Sequence, residues 1–184
     1  MEIIFYEVAE TTSTNDLSKQ LLSQLNKSAL TVVYTWNQTG GRGQFGKSWS
    51  STNKDITASF CFFVSSQNID SSYLIRPGAE AIIELTKTFG IKELCVKWPN
   101  DVLVKQRKLS GILCETIPVA PESTAIILGI GLNVNSSLEN LKNVGQPATS
   151  LLIETGIVYN LDNVLSNLST KVRSHVLSTM RKIV

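Results

Sequence analysis

The stretch that decides the fold reads KWPNDVLVKQRKLSGILC and covers residues 97–114. A strand-like run stops at Pro99, because proline lacks a backbone N–H and has a fixed φ. The turn KQRK then joins two short apolar runs, VLV and LSGIL. This pattern predicts a hairpin with Asp101 at one end and Lys108 just beyond the turn. Three cations in four residues favour an anion site over an ordinary Asn-Gly or Asp-Gly turn, with a solvated basic tip as the alternative.

A second segment, WNQTGGRGQFGKSW at residues 36–49, has the composition of a ligand-binding loop. Its four glycines let the backbone approach a ligand, and consecutive N–H groups can form an anion-binding concavity. Arg42 and Lys47 add two cations. The segment fits neither the P-loop nor the dinucleotide fingerprint, because its Gly-Lys-Ser opens no predicted helix and the strand–helix context is missing. We interpret it as a mobile phosphate-handling loop, with a flexible linker as the alternative.

The order of apolar patterns predicts an α+β domain with one mixed, largely antiparallel sheet and helices packed on one face. Strands are predicted at residues 3–8, 30–36, 56–64, 94–98, 101–104, 108–117 and 124–132. Helices are predicted in three places: from Ser13 or Thr14 onward, over 71–89, and over 161–177. Pro77 is expected in the first turn of the second helix. Residues 133–148 are expected to form a polar loop.

Length and composition indicate one ordinary globular domain. The chain has 184 residues, of which 42% are hydrophobic and 17% are charged. Its net charge of +2 gives no sign of non-specific nucleic-acid binding. Three cysteines fit neither a zinc site nor a disulfide framework, which indicates a reducing, cytoplasmic location. The sequence shows no signal peptide and no stretch long enough to span a membrane.

Four motifs together resemble the bacterial biotin protein ligases in order and approximate spacing. They are the two segments above, Ser13-Thr14-Asn15, and GIGLNVN at residues 129–135. The resemblance implies a class II aminoacyl-tRNA synthetase-like fold and one catalytic domain over residues 1–184. Neither an N-terminal DNA-binding domain nor a C-terminal SH3-like domain is expected in this sequence. The sequence leaves open whether the natural protein is a minimal ligase or a truncated one.

The same resemblance implies an activity. ATP would convert biotin to biotinyl-5′-AMP, and the biotin would then be transferred to a lysine of a biotin carboxyl carrier protein. Mg²⁺ is expected to enter with the substrate phosphates, so no metal ligands are assigned. Neither nucleic acid nor a membrane is expected as a partner, and a homodimer stays open. Two alternatives also stay open: a lipoate or octanoyl ligase on the same core, and a non-catalytic biotin-binding module.

Individual roles follow from the resemblance as well. The residues implied to be catalytic are Lys108, Arg42 and Asp101. Those implied to bind biotin are Ser13, Thr14, Asn15, Gln38, Arg42, Gly43, Gln44 and Lys108. Those implied to bind ATP are Trp49, Lys97, Asn100, Gly131 and Asn133. Hydroxyl and amide groups suit the ureido ring of biotin, which offers one acceptor and two donors. The alternatives are a plain helix N-cap for the triplet, a packed aromatic for Trp49 and an exposed lysine for Lys108.

Two positions of the glycine-rich loop depart from the family pattern. Many members have arginine where this chain has Gln44 and Lys47, so we expect the loop to hold the acyl-adenylate less tightly. Lys105 and Arg107 are expected to be solvated neighbours of the catalytic lysine. Residues 39–48 and 133–147 offer few apolar anchors, so both are expected to be mobile until the adenylate binds.

Overall fold

The computed structural model describes residues 1–65, 71–142 and 144–183. Its strands and helices, in chain order, are β1 (Ile3–Glu7), α1 (Thr14–Leu21), β2 (Leu30–Thr35), β3 (Gly41–Arg42), β4 (Ser48–Trp49), β5 (Ile56–Val64), α2 (Ser71–Thr88), β6 (Leu94–Lys97), β7 (Asp101–Val104), β8 (Arg107–Ala120), β9 (Ser123–Leu132), α3 (Leu138–Leu141), α4 (Leu151–Thr155) and α5 (Leu161–Ile183). No helix of these described residues is long and apolar enough to cross a membrane.

Seven strands form one sheet in the order β1-β2-β5-β9-β8-β7-β6. The β1–β2 pair is parallel, and every other pair in this sheet is antiparallel. The prediction of a mixed, largely antiparallel sheet is therefore confirmed. β3 and β4 pair separately as a short ribbon inside the glycine-rich segment.

The main core lies between the sheet and the two long helices, α2 and α5. Alternate residues of β5 and β9, such as Phe60, Phe62 and Leu128, are buried in this core with apolar residues of both helices. α1 belongs to a smaller cluster on the opposite face, where Leu21 meets Val33, Cys61 and Ile127. The long helices thus share one face, as predicted, and the short α1 lies on the other. Since α1 covers only part of its face, the rest is open to a ligand.

The tip of the β7–β8 hairpin differs from the prediction. The turn is two residues long, with positive φ at Lys105 (48°) and Gln106 (64°), the backbone that suits the twist of a hairpin. Arg107 Nη2 lies 2.7 Å from Glu154 Oε1, and Lys105 Nζ lies 3.9 Å from the other oxygen. The Glu154 side chain is only 4% exposed. These two cations therefore face an internal carboxylate, which leaves Lys108, of the three cations of the turn, for the expected anion site. The expected solvation of Arg107 is wrong in part.

Two further expectations are wrong in part. Pro77 lies inside α2, beyond its first turn. The segment after β9 is not a loop without anchors, because Val134 and Ser136 are fully buried and α3 follows. Asp55 Oδ1 accepts hydrogen bonds from the backbone N–H groups of both residues, at 2.8 and 3.3 Å. Position 143 of this segment lies outside the described residues.

Candidate active site

A cavity of about 270 Å³ opens on the face that carries α1. Its floor is the glycine-rich middle of β8 and β9, and its walls are the start of α1, the glycine-rich loop and the segment before β7. All but one of the residues assigned to the site from the sequence line it: Ser13, Thr14, Asn15, Gln38, Arg42, Gly43, Gln44, Trp49, Lys97, Asn100, Asp101, Lys108 and Gly131. The fold therefore brings four separate motifs to one pocket.

Asn133 is the exception. Its side chain is buried, and its Nδ2 donates a hydrogen bond to Thr149 O at 2.9 Å. The same Nδ2 lies 3.5 Å from Lys108 O, and the Asn133 backbone N–H binds Leu109 O. Asn133 thus fixes the strand behind Lys108 and is absent from the pocket lining, and the ATP binding implied for it stays a prediction.

One end of the pocket is rich in hydroxyl and amide groups. Ser13 caps α1, and its Oγ accepts a hydrogen bond from Asp16 N at 3.4 Å. Thr14 N donates to Gln38 Oε1 at 3.0 Å, which joins the triplet to the loop. A plain cap and a ligand-binding role are both open to Ser13, because capping uses only part of its hydrogen-bonding capacity.

Asn15 is held on every side at this end. Its Nδ2 donates to Glu115 Oε2 at 2.8 Å and to Leu113 O at 3.3 Å. Its Oδ1 accepts from Ser59 Oγ at 2.6 Å. A Cβ on Gly129 would lie 2.3 Å from this Oδ1, so only glycine leaves room for the amide. Ser59 and Glu115 were not identified from the sequence. Glu115 shares a strand face with Gly111 and Leu113, and that alternation was the available signal.

A cluster of four charges connects α1, the glycine-rich loop and β8. Arg42 Nε and Nη2 lie 2.9 and 2.6 Å from the two carboxylate oxygens of Asp16, and Nη2 lies 3.2 Å from Glu115 Oε2. Lys19 Nζ lies 2.8 Å from Glu115 and 3.1 Å from Asp16. The Arg42 guanidinium is therefore paired with protein carboxylates, and it would have to exchange partners to contact a phosphate.

This charge cluster lowers the pKa of both carboxylates. Burial alone would raise the pKa of Asp16, but hydrogen bonds from Lys19 and Arg42 outweigh it. Burial would likewise raise the pKa of Glu115, but hydrogen bonds from Lys19 and Asn15 and the charge of Arg42 outweigh it. Both groups are consequently ionised at neutral pH and act only as hydrogen-bond acceptors.

Acid is expected to weaken this cluster. Folding lowers the pKa of Asp16 and of Glu115, so their ionised forms contribute to the free energy of unfolding. This contribution is fully present above the ordinary pKa values of 3.8 and 4.5, and it is lost as pH falls through the lowered pKa values. Urea unfolding between about pH 3 and pH 7 measures this loss. The free energy of unfolding of the Asp16→Asn/Glu115→Gln double variant should fall less steeply at acid pH than that of the parent. Equal slopes would contradict the assignment.

The opposite end of the pocket is cationic and aromatic. Lys108 Nζ lies 2.7 Å from Asp101 Oδ1, as an ion pair whose angles fall outside hydrogen-bond geometry, and both side chains are mostly buried. The same Nζ lies 5.4 Å from the centroid of the Trp49 ring. A Cβ on Gly131 would lie 2.2 Å from Trp49 Cε2, so the indole lies directly against β9. The hairpin therefore holds the ammonium beside an aromatic wall.

Two buried polar atoms in this pocket have neither a hydrogen-bond partner nor an ion-pair partner within the described part of the chain. They are Gln44 Oε1 and Trp49 Nε1. Buried polar atoms are nearly always satisfied in folded proteins, so a ligand that offers donors and acceptors would be stabilised here. The Asn100 side chain, by contrast, has a hydrogen-bond partner within the protein. Its Nδ2 donates to Ile112 O at 3.3 Å, and the Asn100 backbone carbonyl accepts from Ile112 N at 2.9 Å. Asn100 thus fixes the start of β7, and Lys97 is exposed at the pocket mouth.

The sheet order and the pocket, which has one polar end and one cationic, aromatic end, indicate an enzyme core. The comparison with known sequences identifies its family. Residues 7–133 match the sequence profile of the Biotin/lipoate A/B protein ligase family, and the chain belongs to that family. Among curated relatives, the biotin–[acetyl-CoA-carboxylase] ligase of Mycobacterium tuberculosis is 32% identical over 154 residues, which cover 79% of this chain and 53% of the relative. The chain thus spans about half the length of that relative.

Solved structures show the same similarity. The biotin protein ligase of Aquifex aeolicus in complex with biotin and ATP superposes with a TM-score of 0.70 at 27% identity, over 98% of this chain and 72% of that one. A mutant of the same ligase in complex with biotin gives a TM-score of 0.73 at 25% identity, with the same coverage. The expected family and the expected α+β fold are both confirmed.

Proposed function

We propose that this chain activates biotin with ATP to biotinyl-5′-AMP and transfers the biotin to a lysine of a biotin carboxyl carrier protein. The observation that carries the proposal is the two-ended pocket, in which Thr14, Asn15 and Gln38 lie at one end and Lys108 at the other. The names of the relatives, a biotin ligase acting on acetyl-CoA carboxylase and a ligase bound to biotin and ATP, support it.

The chemistry explains why a buried cation is needed. A biotin carboxylate oxygen attacks the α-phosphorus of ATP, the bond to pyrophosphate breaks, and a mixed anhydride forms. Two anions approach each other in this step, and a fixed cation between them stabilises the charge of the transition state. We assign this role to Lys108, whose ammonium lies 2.7 Å from Asp101 Oδ1. In the second step the lysine amine attacks the acyl carbon and AMP leaves.

Magnesium is proposed to enter as MgATP. Among the described residues no group of three or more His, Cys, Asp or Glu side chains could hold a metal ion. Mg²⁺ is commonly bound by substrate phosphates with one or two carboxylates, and Asp101 is a carboxylate that lines the pocket. We further propose a cytoplasmic site of action, where ATP is available and the free thiols Cys61, Cys95 and Cys114 stay reduced.

The polar end of the pocket favours biotin over lipoate or octanoate. A ureido ring can exchange hydrogen bonds with Thr14, Asn15 and Gln38, whereas an alkyl chain or a dithiolane offers no N–H donors. An apolar group bound at this end would strip water from the hydrogen-bonding positions of these side chains that the protein leaves unpaired, which costs about 1–3 kcal/mol for each group.

Transfer to a carrier domain tests the proposal. The purified chain, MgATP, biotin and an isolated biotin carrier domain should yield a carrier with one added biotin, as measured by mass spectrometry. A carrier with its acceptor lysine replaced by arginine should remain unmodified. Equal labelling with lipoate or octanoate would favour the other branch of the family, and binding of biotin without any transfer would favour a non-catalytic module.

Gln44 provides a second test of the adenylate site. Its buried Oε1 lacks a partner, and an arginine at this position could donate hydrogen bonds to the adenylate phosphate. We expect Gln44→Arg to slow the release of biotinyl-5′-AMP severalfold, measured as reduced random biotinylation of a bystander protein. The control is Gln44→Met, which has a similar length and no cation. Unchanged leakage in Gln44→Arg would mean that other residues already hold the phosphate.

A further inference from the structure

Glu115 on β8 contacts both the glycine-rich loop and the hydroxyl- and amide-rich end of the pocket around Thr14, Asn15 and Gln38, which we call the biotin end. Its Oε2 accepts hydrogen bonds from Asn15 Nδ2 at 2.8 Å and from Arg42 Nη2 at 3.2 Å. Its Oε1 accepts from Lys19 Nζ at 2.8 Å. The side chain is 24% exposed, so the carboxylate lies largely out of water. One side chain thus serves two parts of the site that come from distant segments of the chain.

The bond to Asn15 decides which way the Asn15 amide points. An ionised carboxylate and the Leu113 carbonyl are acceptors only, so the amide nitrogen must face both of them. Asn15 Oδ1 then lies over Gly129, where it accepts from Ser59 Oγ and keeps a second lone pair. A carbonyl oxygen in this place suits a ureido N–H. The reversed amide would present donors to the same ring position.

We propose that Glu115 is a positioning residue for biotin activation: it orients the carbonyl of Asn15 toward the ureido ring and ties Arg42, with the glycine-rich loop, to the biotin end of the pocket. This inference rests on the proposed function, since it assigns Asn15 to biotin. A carboxylate performs both tasks because its two oxygens accept up to about four hydrogen bonds. A glutamine amide offers one acceptor oxygen, which can serve Asn15 but leaves Asp16 as the remaining charged partner of Arg42.

Steady-state kinetics of pyrophosphate release, measured with the carrier domain present as acceptor, separate these tasks. We expect Glu115→Ala to raise the KM for biotin about tenfold, the loss of one charge-assisted hydrogen bond, and to change the KM for ATP less than about twofold. Glu115→Gln should restore the KM for biotin to within about threefold of the parent. Trypsin should cleave after Arg42 faster in both variants than in the parent, because both lack one of the two carboxylates that hold the guanidinium.

Lys19→Met is the matched control. It removes the partner of Glu115 Oε1, whereas Asn15 binds Oε2, so the KM for biotin should stay at the parent value. Thermal unfolding checks each variant, and Glu115→Met replaces the alanine variant if that one does not fold. A parent KM for biotin in Glu115→Ala would overturn the inference and leave the proposed function standing. A parent chain that releases no pyrophosphate with biotin would overturn the proposed function and the inference with it.

Discussion

Replacing Lys108 by alanine is expected to slow biotin-dependent pyrophosphate release about a hundredfold or more. The ammonium lies in the pocket, mostly buried and paired with Asp101 at 2.7 Å, where solvent screens it weakly. Loss of one such preorganised group typically costs about 3–4 kcal/mol in the transition state. The measurement is the single-turnover rate of pyrophosphate release at saturating biotin and MgATP.

Two controls make the Lys108 result specific. Lys105→Gln changes another cation of the same hairpin, whose side chain is 53% exposed and outside the pocket, so it should keep the parent rate. Lys108→Ala also leaves Asp101 without its ion pair, which can lower stability. The Lys108→Ala/Asp101→Asn double variant removes that charge and should fold like the parent while remaining slow. A near-parent rate in Lys108→Ala would remove Lys108 from the catalytic step.

Gly129→Ala is expected to raise the KM for biotin about tenfold or more. The added Cβ would lie 2.3 Å from Asn15 Oδ1 and 2.9 Å from Asn15 Cγ. Asn15 cannot give way cheaply, because Ser59, Leu113 O and Glu115 all hold it. Overpacking of this kind commonly costs about 1–3 kcal/mol, so the variant should also be somewhat less stable.

Gly131→Ala offers the matched comparison for this prediction. Its added Cβ would lie 2.2 Å from Trp49 Cε2, at the other end of the pocket. We therefore expect the KM for ATP to rise in Gly131→Ala and the KM for biotin to rise in Gly129→Ala. The two substitutions are chemically identical and lie two positions apart on one strand. Equal effects of both on the two substrates would contradict the division of the pocket into a biotin end and a nucleotide end.

Local patterns were enough to predict most of the fold. Apolar runs bounded by turn residues identified the strands of the large sheet, and Pro99 with the basic turn identified the β7–β8 hairpin. The register of this hairpin was not predictable in the same way, because a shift between Val102 and Leu103 sets Asp101 opposite Gly111. Lys108 then lies near the Asp101 side chain. The family resemblance added the roles, and the structure places those motifs around one pocket.

Long-range packing explains what the sequence did not predict. α1 lies on the face opposite the two long helices, and only this placement brings Asn15 to Glu115 and Asp16 to Arg42. Likewise, Arg107 meets Glu154 only because α4 lies beside the hairpin turn. From the neighbouring residues alone, charged side chains of this kind are predicted to be solvated, because their partners are far away along the chain. The bonds that hold Asn133 to Lys108 and Thr149 were missed for the same reason.

Biotin-dependent release of pyrophosphate from MgATP tests the central claim most directly. The purified chain should release about one equivalent of pyrophosphate per site in a burst when biotin is added, because the adenylate stays bound until an acceptor lysine arrives. Reactions without biotin, or with octanoate or lipoate in its place, should show only background release. No biotin-dependent burst, or an equal burst with lipoate, would contradict the account.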